Sequence, residues 1–294
     1  MSAVDPSLQG RAPAVERSVR PGLRRRLGLL GLAALLVIAG LGLMMLVAPL
    51  LPVADPTDVD LAHSFAPPSA DHPLGTDSNG RDILARLVWG SRTALLGPLI
   101  VTVVASAVGV LLAIVAAWRG GWFDSATSRI FDVGFAFPGI LLALVVAAVI
   151  GAGLGAAVVA LAVAFVPYIG RVTRGAALQQ LRLPYVDALR VQGQSPVAIC
   201  ARHLVPNLGA LIVAQATVTF GYALVDLAAL SYLGLGADQG SPDWGVMVAA
   251  GQSDILSGYP QQSLYAGALI VIAVAACCIV GERVTDGEHG GRHR

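Results

Sequence analysis

Asp226 is the only acidic residue set well inside an apolar run of this 294-residue chain. An ionisable group at membrane depth is costly to keep there, so it points first to a substrate contact or a proton relay. The plainer alternative is that Asp226 lies near the outer end of its helix and simply reaches water. Other candidate chemistry is thin. His63, His72, His203, His289 and His293 are scattered, and the two imidazoles of the terminal HGGRHR sit on an end that is more often solvated than metal-bound. His203, beside Arg202, reads as a capping or snorkelling side chain. Cys277 and Cys278 are adjacent in an apolar run and Cys200 stands alone, which is neither a disulfide framework nor a metal-ligand spacing. HExxH and GxSxG are both absent, so no metal site and no hydrolytic centre is expected. The chain also contains no lysine. A phosphate-binding loop needs one, so any ATP hydrolysis must come from another subunit and no cofactor is expected in this chain.

The elements that would position such residues are apolar helices. Hydrophobic residues make up 56% of the chain and charged ones 13%, against about 25% charged in a typical soluble domain. After a polar tail over 1–26, the run 27–51 holds no charge and exceeds the ~20 residues that span a hydrocarbon core. It is also too long for the apolar core of a secretory signal. Further spans are expected at 93–118, 133–152, 154–170, 208–233 and 263–281, giving six, with the third and fourth joined in a tight hairpin at GAGLG. Small residues at Ala105, Gly109, Ala113, Gly151 and Gly155 predict close helix approach. Pro98, Pro138 and Pro167 are expected to kink their helices. The net charge of +1 gives no reason to expect a nucleic-acid partner.

Arginine placement orients the chain. With both termini in the cytoplasm, sixteen of the nineteen arginines fall inside and only Arg81, Arg86 and Arg92 fall outside. The outer segment 52–92 is acidic and proline-rich, then carries Ile83, Leu84, Leu87 and Val88 at helical spacing. Asp82 and Arg86 lie four apart, so a short interfacial helix is expected there. The second outer segment, 234–262, contains a semi-apolar stretch around Trp244 and Met247 that suits an interfacial or re-entrant helix.

The inner segment 171–207 is unusually long for a connection between spans, and such length usually signals function. Within it, LPYVDALRVQGQSPVAICARHLVPN (183–207) reads as two short helices with written boundaries. Pro184 suits a first helical position, Gly193 a left-handed residue past a helix end, and Ser195-Pro196 a second start. Pro206 is expected to close the pair. Tyr185, Ala188, Leu189 and Gln192 recur at helical spacing and offer an apolar face to a groove on a partner. Asp187 points elsewhere and is free to pair with an arginine or to cap a partner helix.

Three stretches together resemble the C-type permease subunit of bacterial dipeptide and oligopeptide ABC importers. They are HPLGTDSNGRDILARLVWGSR (72–92), ALVDLAALSYLGLG (223–236) followed by Pro242-Asp243-Trp244-Gly245, and the 183–207 segment. That last segment is similar to the family's cytoplasmic EAA loop, through Asp187, Ala188, Leu189, Gly193 and Val205-Pro206. Asp187 stands where the family has glutamate, Leu189 where it has alanine and Val205 where leucine is usual. The resemblance implies an all-α, type I ABC importer permease in the bacterial cytoplasmic membrane. It also implies a second B-type permease, two ATP-binding subunits (or one fused ATPase) that hold ATP and Mg, and an extracytoplasmic substrate-binding lipoprotein. Tyr185, Asp187, Ala188, Leu189, Gly193 and Pro206 would couple to the ATPases. Arg81, Asp82, Trp89 and Trp244 would contact the binding protein, and Asp226 would line the path. Peptide is the expected cargo, moved by alternating access, with nickel and glutathione as alternatives. A secondary transporter would show an internal inverted repeat, and none is evident.

Overall fold

The computed structural model describes residues 23–51 and 55–289, so most of the expected 1–26 tail lies outside the described residues. The chain forms helices α1 (Leu23–Val47), α2 (Ile83–Arg119), α3 (Gly121–Ala136), α4 (Gly139–Ile150), α5 (Leu154–Leu181), α6 (Pro184–Val191) and α7 (Pro196–Ile199). These are followed by α8 (Val205–Asn207), α9 (Gly209–Tyr232), α10 (Trp244–Ala250), α11 (Gln252–Leu256) and α12 (Gln261–His289). Among the described residues there is no β-strand, only an isolated antiparallel bridge between Thr76 and Asp82.

Five helices are long and apolar enough to cross a membrane: Gly28–Leu50, Ile83–Arg119, Leu154–Leu181, Gly209–Tyr232 and Gln261–Val284. The span expected at 133–152, with a kink at Pro138, belongs to a broken pair, α3 and α4, bent by 90°. Proline explains the break. Pro138 has no N–H to donate and forces the preceding residue out of helical conformation, and Phe137 is accordingly extended at φ −95°, ψ 132°.

Helix α2 is the spine of the bundle. Its 37 residues rise about 55 Å, well beyond the ~30 Å of a hydrocarbon core, so it must project from the membrane. The short interfacial helix and the second span expected from 93 are therefore one element. Gly90-Ser91-Arg92 does not interrupt it, and the Ser91 and Thr93 hydroxyls are satisfied within the helix by the carbonyls of Val88 and Gly90. Three apolar clusters lie along this helix. Ile83, Leu87 and Leu95 pack with Leu224, Trp244, Met247, Ala266 and Ala273 at one end. Val101 packs with Ala143, Leu161 and Leu227 in the middle, and Ile114 and Ala117 with Ala177, Leu204 and Leu208 at the other end.

Helices α2 and α5 pack backbone to backbone. A Cβ at Gly109 would lie 3.0 Å from the Val166 carbonyl oxygen and 3.3 Å from Ile169 Cβ. Ala105 and Ala113, a turn to either side, are fully buried. Small side chains here let two backbones meet where no hydrophobic force drives helices together. Gly109→Leu is expected to separate the pair and lower the yield of folded protein, read by size-exclusion profile in mild detergent. Gly151 and Gly155 do not serve this purpose, since a Cβ at either meets nothing within 4 Å. Gly151 instead supplies φ 110° in the tight α4–α5 turn.

Helix α5 also overruns its expected end at 170 by eleven residues. The extension is clamped to α3. Arg174 donates twice to Asp124, at 2.6 Å each, and Arg171 reaches Asp132 at 3.6 Å while lying over the Phe135 ring. The long inner connection accordingly begins at 182.

Candidate functional site

At that end of the bundle, the 182–208 connection forms the helical pair that its punctuation implies. Leu183 is extended, Pro184 opens α6, and Gly193 takes φ 76°, a conformation that only glycine adopts without strain. Ser195 Oγ accepts from the Ala198 N–H at 3.3 Å and caps α7. Pro206 does not close the pair, however. A π-turn over Cys200–Leu204 widens the helix just upstream, and the chain continues through α8 and Leu208 directly into α9. A π-turn relieves the register in which proline's ring would clash with the preceding turn. α7 and α9 are thus joined by nearly continuous helix.

The faces of α6 divide differently from the expected apolar stripe. Val186 is the fully buried anchor. Tyr185 is half buried; its hydroxyl donates to Gln180 Oε1 and accepts from Asn207 Nδ2, each at 3.3 Å, tying the start of α6 to α5 and α8. Ala188 is exposed and Leu189 half buried, while Gly193 and Pro206 are exposed. Asp187 is solvent-facing and reaches only Arg190, at 3.4 Å. Arg190 in turn lies over the Trp118 ring of α2, 4.9 Å from its centroid. The apolar side chains left most outward are Val191, 90% exposed, and Val197, 77% exposed. They flank the Gly193 turn from its two helices. Valines of this kind carry no polar signature, which is why the sequence did not single them out.

The opposite end of the bundle is a packed cap. Asp77 and Arg86 are wholly enclosed. Asp77 Oδ1 accepts from the backbone N–H groups of Asn79 (2.8 Å) and Arg81 (2.9 Å), and Oδ2 accepts from Arg81 Nε at 2.8 Å. Arg86 Nε faces the same carboxylate at 3.7 Å. The Arg86 guanidinium also donates to the carbonyls of Pro56 (3.1 Å) and Ser241 (3.0 Å), joining segments far apart in sequence. Asp82 does not pair with Arg86. It caps α2, accepting from the Leu84 N–H at 2.8 Å. Trp244 is fully buried and donates its indole N–H to the Leu87 carbonyl at 2.9 Å. Asp243 caps α10 through the N–H groups of Gly245 and Val246, and burial pushes its carboxyl above the ordinary carboxylate range.

Of the residues expected to meet a binding protein, Arg81, Asp82 and Trp244 are therefore buried, and Trp89 is half buried beside Arg92. Their chemistry is turned inward and shapes the cap. The exposed apolar side chains at this end include Val59, Leu61 and Leu256. Trp244→Ala is expected to cost about 3–5 kcal/mol, the usual range for emptying a large aromatic site. Thermal unfolding in detergent measures it.

Asp226 lies on α9, half buried. A Cβ at Gly139, the first residue of α4, would be 3.9 Å from Asp226 Oδ2, so the carboxylate sits against the helix break. Among the described residues no group of three or more His, Cys, Asp or Glu side chains could hold a metal.

The chain is thus a bundle of apolar spans, one of them broken, with a capped helical pair at one end. The chain belongs to the family of binding-protein-dependent transport system inner membrane components, which matches residues 109–286. The dipeptide transport system permease protein DppC of Alkalihalophilus pseudofirmus is 35% identical over 257 residues, covering 87% of this chain and 84% of that protein. The probable D,D-dipeptide transport system permease protein DdpC of Escherichia coli K12 is 33% identical, with coverage of 83% and 82%. The glutathione transport system permease protein GsiD of Pectobacterium atrosepticum is 35% identical over 219 residues, with coverage of 74% and 72%. The fold is that of the inward-facing MetNI methionine ABC transporter, at TM-score 0.56 and 21% identity over 70% of this chain and 97% of the solved one.

Proposed function

We propose that this chain is one permease half of an ATP-driven importer of di- or oligopeptides, working by alternating access in the bacterial cytoplasmic membrane. The observation that carries the coupling role is the α6–Gly193–α7 pair. It is anchored to the bundle through Val186, Tyr185 and Arg190, yet it presents Val191 and Val197 outward. A short helix transmits force when it is rigid toward its own body and apolar toward its partner. The partners are a second permease of the B type, two ATP-binding subunits or one fused ATPase, and an extracytoplasmic binding lipoprotein. ATP and Mg belong to the ATPases. Arginine placement supports cytoplasmic termini, which sets the 183–207 segment on the ATPase side and the Asp77 cap on the binding-protein side. The cap's exposed Val59, Leu61 and Leu256 suit that contact better than the buried residues beneath them.

Peptide cargo rests on the dipeptide permeases that align with more than four fifths of this chain. Glutathione is the second reading, favoured by relatives equally similar over a shorter stretch. Purification after mild solubilisation is expected to bring along an ATPase pair, a second permease and a lipoprotein. The reconstituted complex is expected to take up labelled dipeptide in an ATP-dependent manner. Recovery of a lone chain that still transports overturns the assignment, and uptake of glutathione with no uptake of dipeptide selects the second reading.

A further inference from the structure

Helix α9 carries a stripe of polar side chains that its own subunit does not satisfy. Gln215, Thr219, Tyr222 and Asp226 follow one another at intervals of four, three and four residues, which sets them on one line along the helix. Among the described residues, none of the four side chains makes a hydrogen bond or an ion pair. The Thr219 hydroxyl is fully buried and still has no partner. Thr217, off the stripe, behaves as a lone membrane threonine usually does and turns its hydroxyl back to the Val213 carbonyl at 2.8 Å. In hydrocarbon an unmet polar group costs several kcal/mol. Thr219 is sealed within this chain, so it is the three that reach the surface, Gln215, Tyr222 and Asp226, that imply a partner outside it.

Two further features say what that is. Asp226 lies against the break before α4, and irregular backbone at membrane depth is tolerated only where it is enclosed by protein or borders an aqueous cavity. Phe137, at the break, is 60% exposed, and Tyr222, one turn below Asp226, is 50% exposed, so this face is open in the single subunit. Its one formal charge is negative, and α9 contains no arginine or histidine to neutralise it. Arg171 on α5 is engaged with Asp132 and Phe135 of α3. Carboxylate, phenol oxygen and amide oxygen together form a row of acceptors with a single anionic end.

We infer that this stripe borders the translocation path and that Asp226 receives the ammonium end of the passing cargo. The inference rests on the importer reading and adds to it a residue and a charge preference. A proton relay would need a chain of titratable groups, whereas Tyr222 is the only other titratable side chain on the stripe.

The test uses thiol chemistry in the assembled transporter, with Cys200, Cys277 and Cys278 replaced by alanine and Tyr222→Cys introduced. A cationic methanethiosulfonate is expected to react about tenfold faster than an anionic one of similar size, within the usual range of electrostatic steering. Asp226→Asn is expected to bring the ratio to about one. A ratio near one with Asp226 present, a ratio indifferent to Asp226→Asn, or no reaction from either side of the membrane overturns the inference. The last result would mean that the partner permease covers the stripe. In parallel, uptake of a zwitterionic dipeptide is expected to fall about tenfold in Asp226→Asn and to recover in Asp226→Glu. Equal loss in both variants assigns Asp226 to packing and overturns the inference. The thiol measurement requires no peptide transport, so a complex that moves no peptide defeats the proposed function alone.

Discussion

Asp77→Ala is expected to destabilise the folded permease by about 3–5 kcal/mol, the range for breaking a buried ion pair from one side. The size follows from what stays behind. Arg86 is fully enclosed and would keep its charge with only the carbonyls of Pro56 and Ser241 to meet it. Arg81 would lose its carboxylate, and the N–H groups of Asn79 and Arg81 would lose their acceptor. Asp77→Asn keeps the shape and an acceptor oxygen, so it is expected to cost less than the alanine variant. The coupling is separable by a double-mutant cycle. Asp77→Ala combined with Arg86→Met is expected to cost less than the sum of the two single changes, because the second removes the charge that the first strands. Thermal unfolding of the purified protein in detergent reads all three. Additivity within about 0.5 kcal/mol would show that the two side chains do not act as a unit.

Gly193→Pro is expected to abolish ATP-driven uptake while leaving the chain inserted and folded. Proline fixes φ near −65°, against the 76° observed, and it removes the Gly193 N–H that donates to the Arg190 carbonyl at 3.0 Å. The turn between α6 and α7 would have to rearrange, and Val191 and Val197 would lose their relation to each other. Gly193→Ala is a graded control. A Cβ there meets nothing within 4 Å, so its cost is the left-handed backbone alone, roughly 1–2 kcal/mol. It is expected to slow uptake without ending it. Substrate-stimulated ATPase activity and uptake, measured together in proteoliposomes, decide the matter. Normal values for the proline variant would remove the Gly193 turn from coupling.

Much of this molecule could be read before any fold was known, and where reading failed the reasons are specific. Local rules sufficed for the Gly193 turn, the Ser195 cap and the Pro184 start, since each depends on backbone conformation within a few residues. They failed at Pro206, because the π-turn that accommodates it is set by how Leu204 and Leu208 pack under α2 and α5. They failed again at 83–92, where i,i+4 spacing suggested an Asp82–Arg86 pair. Arg86 is instead drawn inward by Asp77 and by a carbonyl 155 residues away, and no periodicity reports that distance. The stripe on α9 is the opposite case: Asp226 stood out by its charge, but the aliphatic residues around Gln215, Thr219 and Tyr222 hid their alignment with it.

What the sequence determined by itself was the solvent of each segment. Apolar run length set the membrane spans, the absence of lysine ruled out a phosphate-binding loop in this chain, and the proline–glycine punctuation marked a helical pair. These properties depend on composition and nearest neighbours. What only the tertiary structure decided was which polar groups are spent and which remain free. Arg81, Asp82 and Trp244 are consumed in the cap, while Gln215, Thr219, Tyr222 and Asp226 are left unmet. That distinction depends on partners supplied from distant parts of the chain, and burial decides how much each missing partner costs.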